Sequence, residues 1–146
     1  MTLQEKIQTY SDMFKSKQRD NGENFVILKP NAPEELRESV RAAHVHKFPN
    51  DWIYGTYADL IQRLTDYEIN SIDDVENYRA EIVDGYVDVY TAKLTKWLAD
   101  DVSNVDYLTE AIDEYGNQKD GFQLLAMAQY RAIDEVYGYI INLLSK

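Results

Sequence analysis

TLQEKIQTYSDMFKSKQRDNGENFVILK, residues 2–29, decides how much of this chain is helix. Its first half places Leu3, Ile7, Tyr10 and Phe14 at spacings of four, three and four, the apolar stripe of an amphipathic helix with one buried side. Asp20-Asn21-Gly22 then ends that helix. The second half holds NFVILK, residues 24–29, a short apolar run between polar punctuation. Such a run fits either an isolated strand or an extended segment lying on the core, and periodicity leaves the choice open.

Downstream the pattern is helical. Lys29-Pro30-Asn31-Ala32-Pro33 reads as a turn, and Pro33 opens a helix over residues 33–46 in which Glu34 and Glu35 face the positive end of the dipole. Pro49 breaks the chain; Asn50 is a natural N-cap with Asp51 just inside, and Trp52, Ile53, Tyr57, Leu60, Ile61 and Leu64 recur with helical period. Ile53, Tyr57, Leu60 and Leu64 share a face and are assigned to the core, with Trp52 at that face's edge and Tyr54 pointing elsewhere. Ser71 caps a helix that begins Ile72-Asp73-Asp74 and continues to residue 83; Gly85 then loosens the chain before a helix over 87–99 that presents Tyr90, Leu94, Trp97 and Leu98. Ser103 or Asn104 caps the next helix, which ends at Tyr115-Gly116-Asn117. From Phe122 to Leu144, the residues Leu125, Ala128, Ala132, Val136, Tyr139 and Leu143 step along one face, which makes this the candidate central helix. The expected fold is therefore all-α: one domain over residues 1–146, a bundle of six to seven helices with room for one short strand near residues 24–28.

Composition narrows the function. A chain of 146 residues can bury a real core without staples, and the absence of cysteine excludes disulfides, thiolate metal sites and cysteine nucleophiles together. The opening MTLQEKIQTY lacks the layout of a secretory signal, and no apolar run approaches the roughly 20 residues a membrane span needs, so the expectation is a soluble cytoplasmic protein. Charge is lopsided. Residues 1–50 hold eight Lys and Arg against seven Asp and Glu, whereas residues 51–146 hold seven against nineteen, a balance of −12 within a total of −11. That field repels phosphate backbones and attracts basic partners, although an acidic surface also simply keeps a protein in solution.

Catalytic and metal signatures are missing. His44 and His46 stand two apart, so on a helix they point about 200° away from each other and do not chelate one ion. Asp73, Asp74 and Glu76, or Asp84 and Asp88, meet at helical spacing, but an acid–base pair also needs a pocket that separates its pKa values. Ser11, Ser16, Ser39, Ser71, Ser103 and Ser145 read as caps or exposed helix positions, and no cofactor motif is present. Aromatics are the positive signal: twelve tyrosines, of which Tyr54, Tyr67, Tyr78, Tyr86, Tyr107 and Tyr115 stand near an acid. Tyrosine beside acid suits a contact surface, and it equally suits the rim of a bundle, where the ring is buried and the hydroxyl stays wet.

Several stretches stand together as a likeness: His44 followed by Pro49-Asn50-Asp51-Trp52-Ile53-Tyr54, then Asp88-Val89-Tyr90-Thr91 with Leu94 and Trp97-Leu98, Tyr107 with Glu110-Ala111, and Gln129 with Glu135-Val136. Over residues 44–140 they make the chain resemble small acidic helical proteins carried by phages, plasmids and integrating elements. The resemblance implies a setting in which such proteins act against host defence, as anti-CRISPR or anti-restriction factors that occupy the DNA channel of a nuclease. Joined to the charge balance, it gives the leading expectation of a non-enzymatic inhibitor that mimics DNA and binds the basic groove of a nuclease effector, without cofactor, membrane or direct nucleic-acid contact. Its expected face is Asp73, Asp74, Glu76, Glu81, Asp84, Asp88, Asp100, Asp101 and Asp106. The alternative is an adaptor or structural homodimer that uses exposed tyrosines around Trp52 and Tyr54, and an enzyme built on a carboxylate cluster ranks last.

Overall fold

The computed structural model describes the backbone of residues 1–22, 24–44, 50–90 and 121–146, and side-chain surroundings over these ranges except at 44, 50–53, 87–90, 121–126, 128 and 129. The first helix, α1 (Leu3–Ser11), starts on Thr2, whose hydroxyl accepts from the Glu5 N–H and donates to the Glu5 carboxylate, both at 3.1 Å. It stops well before the end that the apolar stripe predicts. Asp12 closes the helix, its carboxylate accepting from the Gln8 amide at 3.0 Å, and the chain turns out at Met13. Phe14, the expected fourth member of the stripe, instead opens strand β1 (Phe14–Gln18), which pairs antiparallel with β2 (Asn24–Leu28), Phe14 opposite Leu28 and Ser16 opposite Val26.

The all-α expectation is thereby overturned: the described residues form six helices and a β-hairpin. The reason is that an extended apolar run needs partners for its backbone N–H and C=O groups, and the polar FKSKQ stretch supplies them. Asn21-Gly22 is a reversal within the hairpin, not a helix stop. Gly22 sits at φ +88° and donates its N–H to the Arg19 carbonyl at 2.9 Å. Lys15 and Lys17 stand exposed along β1, which discourages pairing with a foreign strand.

Helix α2 (Glu34–His44) buries Leu36, Val40 and Ala43 at helical spacing, and the boundary expected at residue 46 lies outside the described residues. Arg37 fixes the preceding turn by donating to the carbonyls of Lys29 at 3.1 Å, Pro30 at 2.5 Å and Ala32 at 3.1 Å. Helix α3 (Asn50–Leu64) buries Tyr57, Leu60, Ile61 and Leu64 completely and touches α1, α2 and β2. The helix expected from Ile72 to residue 83 is divided at Tyr78 into α4 (Ile72–Asn77) and α5 (Arg79–Tyr90). Gly85 does not loosen the chain. It lies inside α5, where a Cβ would come within 3.3 Å of the Arg63 guanidinium, so the glycine permits a close approach. The last helix, α6 (Gly121–Leu144), buries Ala132, Val136 and Leu143 as their spacing predicts and packs on α1 to α5. The expected Leu125 and Ala128 contacts, the span 91–99, and the helix expected from residue 103 or 104 to 115 fall outside the described residues.

Most described tyrosines serve the interior and its rim. Tyr57 is wholly buried, stacks on Phe14 with ring centroids 6.0 Å apart, and shares a hydrogen bond with Ser39, a residue the sequence places at the surface. Tyr86 pairs with the Thr56 hydroxyl at 3.0 Å, and Tyr137 donates to the Val75 carbonyl. Burial pushes the phenols of Tyr57 and Tyr137 upward, and burial together with the Glu35 carboxylate pushes Tyr10 up to about 12.

Two stability measurements check this frame by chemical denaturation. Ser39→Ala leaves a buried phenol without its partner and costs about 1–3 kcal/mol, whereas adding Tyr57→Phe on that background costs less than Tyr57→Phe alone; strictly additive losses would show that the two hydroxyls do not meet. Gly22→Ala costs about 1–2 kcal/mol from backbone conformation alone, since no heavy atom lies within 4 Å of the added Cβ.

Candidate functional site

The acidic stretch starts where α3 ends. Asp66 and Glu68 flank Tyr67 in the linker to α4, and both carboxylates are exposed. Gln4 of α1 holds this linker by accepting from the Ile69 N–H at 2.8 Å. Ser71 then caps α4: its hydroxyl accepts from the Asp74 N–H, while the Asp74 carboxylate accepts from the N–H groups of Asn70 at 2.8 Å and Ser71 at 3.1 Å. Asp74 is therefore engaged in starting the helix, which the Ser-x-x-Asp spacing signals. Asp73 and Glu76 remain exposed on α4, and Glu81 and Asp84 on α5. Because α4 and α5 are consecutive, in mutual contact and both seated on α6, the structure brings these four onto neighbouring elements.

Around them lie aromatic rings. Tyr67 packs on Tyr78 with centroids 4.4 Å apart and ring planes tilted by 38°, and the Glu81 carboxylate acts on its phenol. Burial, followed by the Glu81 charge, raises the Tyr67 phenol pKa; burial and then Asp84 raise that of Tyr130. Neither Asp66 nor Glu68 belongs to the sequence-derived face, although both continue the same run of acids.

Two cations lie between residues 51 and 90, Arg63 and Arg79. Arg79 is bound by Asp134 of α6 through two parallel contacts, Nε to Oδ1 at 2.6 Å and Nη2 to Oδ2 at 3.0 Å, with a third bond from Nη2 to the Asp134 carbonyl at 2.9 Å. Its guanidinium also faces the Tyr137 ring, 5.8 Å from the centroid. Sequence reasoning misses this pair because 55 positions separate its members. Beside it runs an open groove of about 450 Å³ between α4 and α6, lined by Glu76, Arg79, Glu135, Tyr139 and Asn142 among others. A second groove, of about 380 Å³, lies between α1, the hairpin and α3; Asp12 and Asp59 line it with Lys15 and Lys29, so its charge is mixed.

The remaining expected site residues divide as follows. Tyr54 is half-buried and packed against the core, so it does not project as an anchor. Asp88 and Trp52 lie in α5 and α3 with side chains outside the described set, and Asp100, Asp101 and Asp106 lie outside the described residues, as does His46. Among the described residues no group of three or more histidines and carboxylates converges on a metal position, and no helix is long and apolar enough to cross a membrane.

Capping and surface acids separate on substitution. Asp74→Ala lowers stability by about 0.3–1.5 kcal/mol through the lost cap, whereas Asp73→Asn stays within about 0.5 kcal/mol of the parent; thermal melts of the two variants check the distinction. The chain matches no protein-family model, no curated protein and no solved structure, so its acidic face is interpreted from its own geometry.

Proposed function

We propose that this protein is a non-enzymatic binding module whose α4–α5 face docks in the cationic groove of a nucleic-acid-handling enzyme and keeps the phosphate backbone out. One observation carries the reading. The stretch from residue 66 to 84 carries the exposed carboxylates of Asp66, Glu68, Asp73, Glu76, Glu81 and Asp84 against one basic residue of its own, Arg79, which is already bound by Asp134, and Arg63 of α3 is the cation that approaches it at the Tyr67 corner.

Duplex DNA presents one negative charge per about 1.7 Å of axis, and a groove evolved to hold it is lined with cations that attract any comparable density of fixed anions. Docking such a face gains electrostatic steering during approach and costs little reorganisation, because Asp73, Glu76, Glu81 and Asp84 stand on helices. On the resemblance to acidic proteins of mobile elements, the target we propose is a host-defence nuclease, a Cas effector or a restriction enzyme. The adaptor reading has less support, since Tyr54 is packed against the core and Tyr86 is buried.

The test is protection of duplex DNA from cleavage by such nucleases as salt is raised. Binding weakens about tenfold or more between about 50 and 200 mM salt, and a variant carrying Asp73→Asn, Glu76→Gln, Glu81→Gln and Asp84→Asn, with Asp74 retained for folding, loses protection. Salt-independent inhibition, or full inhibition by that variant, contradicts the reading.

A further inference from the structure

The acidic face is not uniform. At its α3–α4 corner the Tyr67 and Tyr78 rings lie against each other, 4.4 Å between centroids, each half-buried and so keeping part of its surface open. Glu81 is exposed and close enough for its charge to act on the Tyr67 phenol, and the carboxylates of Asp66 and Glu68 flank Tyr67 in sequence. Arg63 approaches the same corner, with its guanidinium near Gly85 and its charge felt by Tyr67. The carboxylates of Glu81 and Asp66 thus oppose one cation, Arg63, at Tyr67, and the local balance stays negative.

We propose that the Tyr67–Tyr78 pair receives an arginine side chain of the basic partner, the guanidinium lying on the open phenol surface and donating to Glu81, so that the acidic face selects arginine over lysine. The proposal rests on the docking role given to this face and adds to it the partner chemistry. A guanidinium is planar, weakly hydrated and able to stack on a ring while its edge hydrogen-bonds to a carboxylate. An ammonium offers a compact, strongly hydrated charge that gains from the carboxylates but little from the rings. Where acids alone line a surface, the two cations differ only by the geometry of their hydrogen bonds; the aromatic pair adds a contribution that disappears with the rings.

Fluorescently labelled nona-arginine and nona-lysine peptides are the probes, titrated against the full chain by anisotropy. The expected result is tighter binding of the arginine peptide by about two- to fivefold beyond the preference left in Tyr67→Leu and Tyr78→Leu, with Tyr67→Phe keeping the parental preference. Upfield ring-current shifts of the arginine side-chain protons in the complex with the unsubstituted protein report the same stacking without reliance on a folded variant. Equal affinities for the two peptides, a preference unchanged in both leucine variants, or the absence of ring-current shifts overturns the arginine pocket while leaving the acidic face standing. If neither peptide binds in a salt-dependent way, the docking role and the pocket fall together.

Discussion

Everything on the described surface is arranged around the burial of Tyr57. A phenol placed in the middle of α3 with no exposure must find a partner for its hydroxyl inside the protein, and Ser39 of α2 supplies it. The ring meanwhile stacks on Phe14, so one side chain joins α3, α2 and the hairpin. Phe14 reaches that ring from the first residue of β1, just beyond the end of α1. Removing the phenol would take away the apolar floor on which the hairpin rests as well as a buried hydrogen bond.

This frame also sorts the charges. β2 rests on α3, and Ala58, Asp59, Gln62 and Thr65 line the groove on that side, whereas Thr56 and Arg63 approach Tyr86 and Gly85 of α5 from other faces of the same helix. The exposed lysines of β1 therefore sit on the hairpin, and the acids of residues 66–84 sit on elements that pack against α6. Arg79 might have tempered the second group, but Asp134 reaches it from α6 with both carboxylate oxygens. Since that pair is about one-third exposed at each partner, its value lies in fixing where the charge is rather than in large stabilisation.

Helical periodicity was enough to place Tyr57, Leu60 and Leu64 of α3 and Ala132, Val136 and Leu143 of α6 in the core, because each helix has an apolar face that repeats every third or fourth residue. It misled at Phe14, where the fourth member of a stripe was equally suited to begin a strand. The Asn21-Gly22 pair ahead of NFVIL was a hairpin signal, and its force depends on recognising the polar FKSKQ stretch as a strand, which its own composition hides. Ser39 looked like a surface serine since its only cue, a tyrosine 18 residues away, is a tertiary contact. The acids were legible as a charge balance, and Asp74 as a capping residue from its spacing to Ser71. That Arg79 belongs to Asp134, and that Tyr67 belongs to Tyr78, required the folded chain.

The central claim is spatial: a basic partner meets this protein on the face built from the α3–α4 linker, α4 and α5. Backbone amide chemical-shift mapping, with the labelled protein titrated by a DNA-binding nuclease domain or a short cationic peptide, measures it most directly. The account predicts that the largest shifts cluster at residues 66–84, while residues 14–28 of the hairpin stay near their starting positions. Shifts concentrated on the hairpin, or spread evenly over both regions, would contradict it.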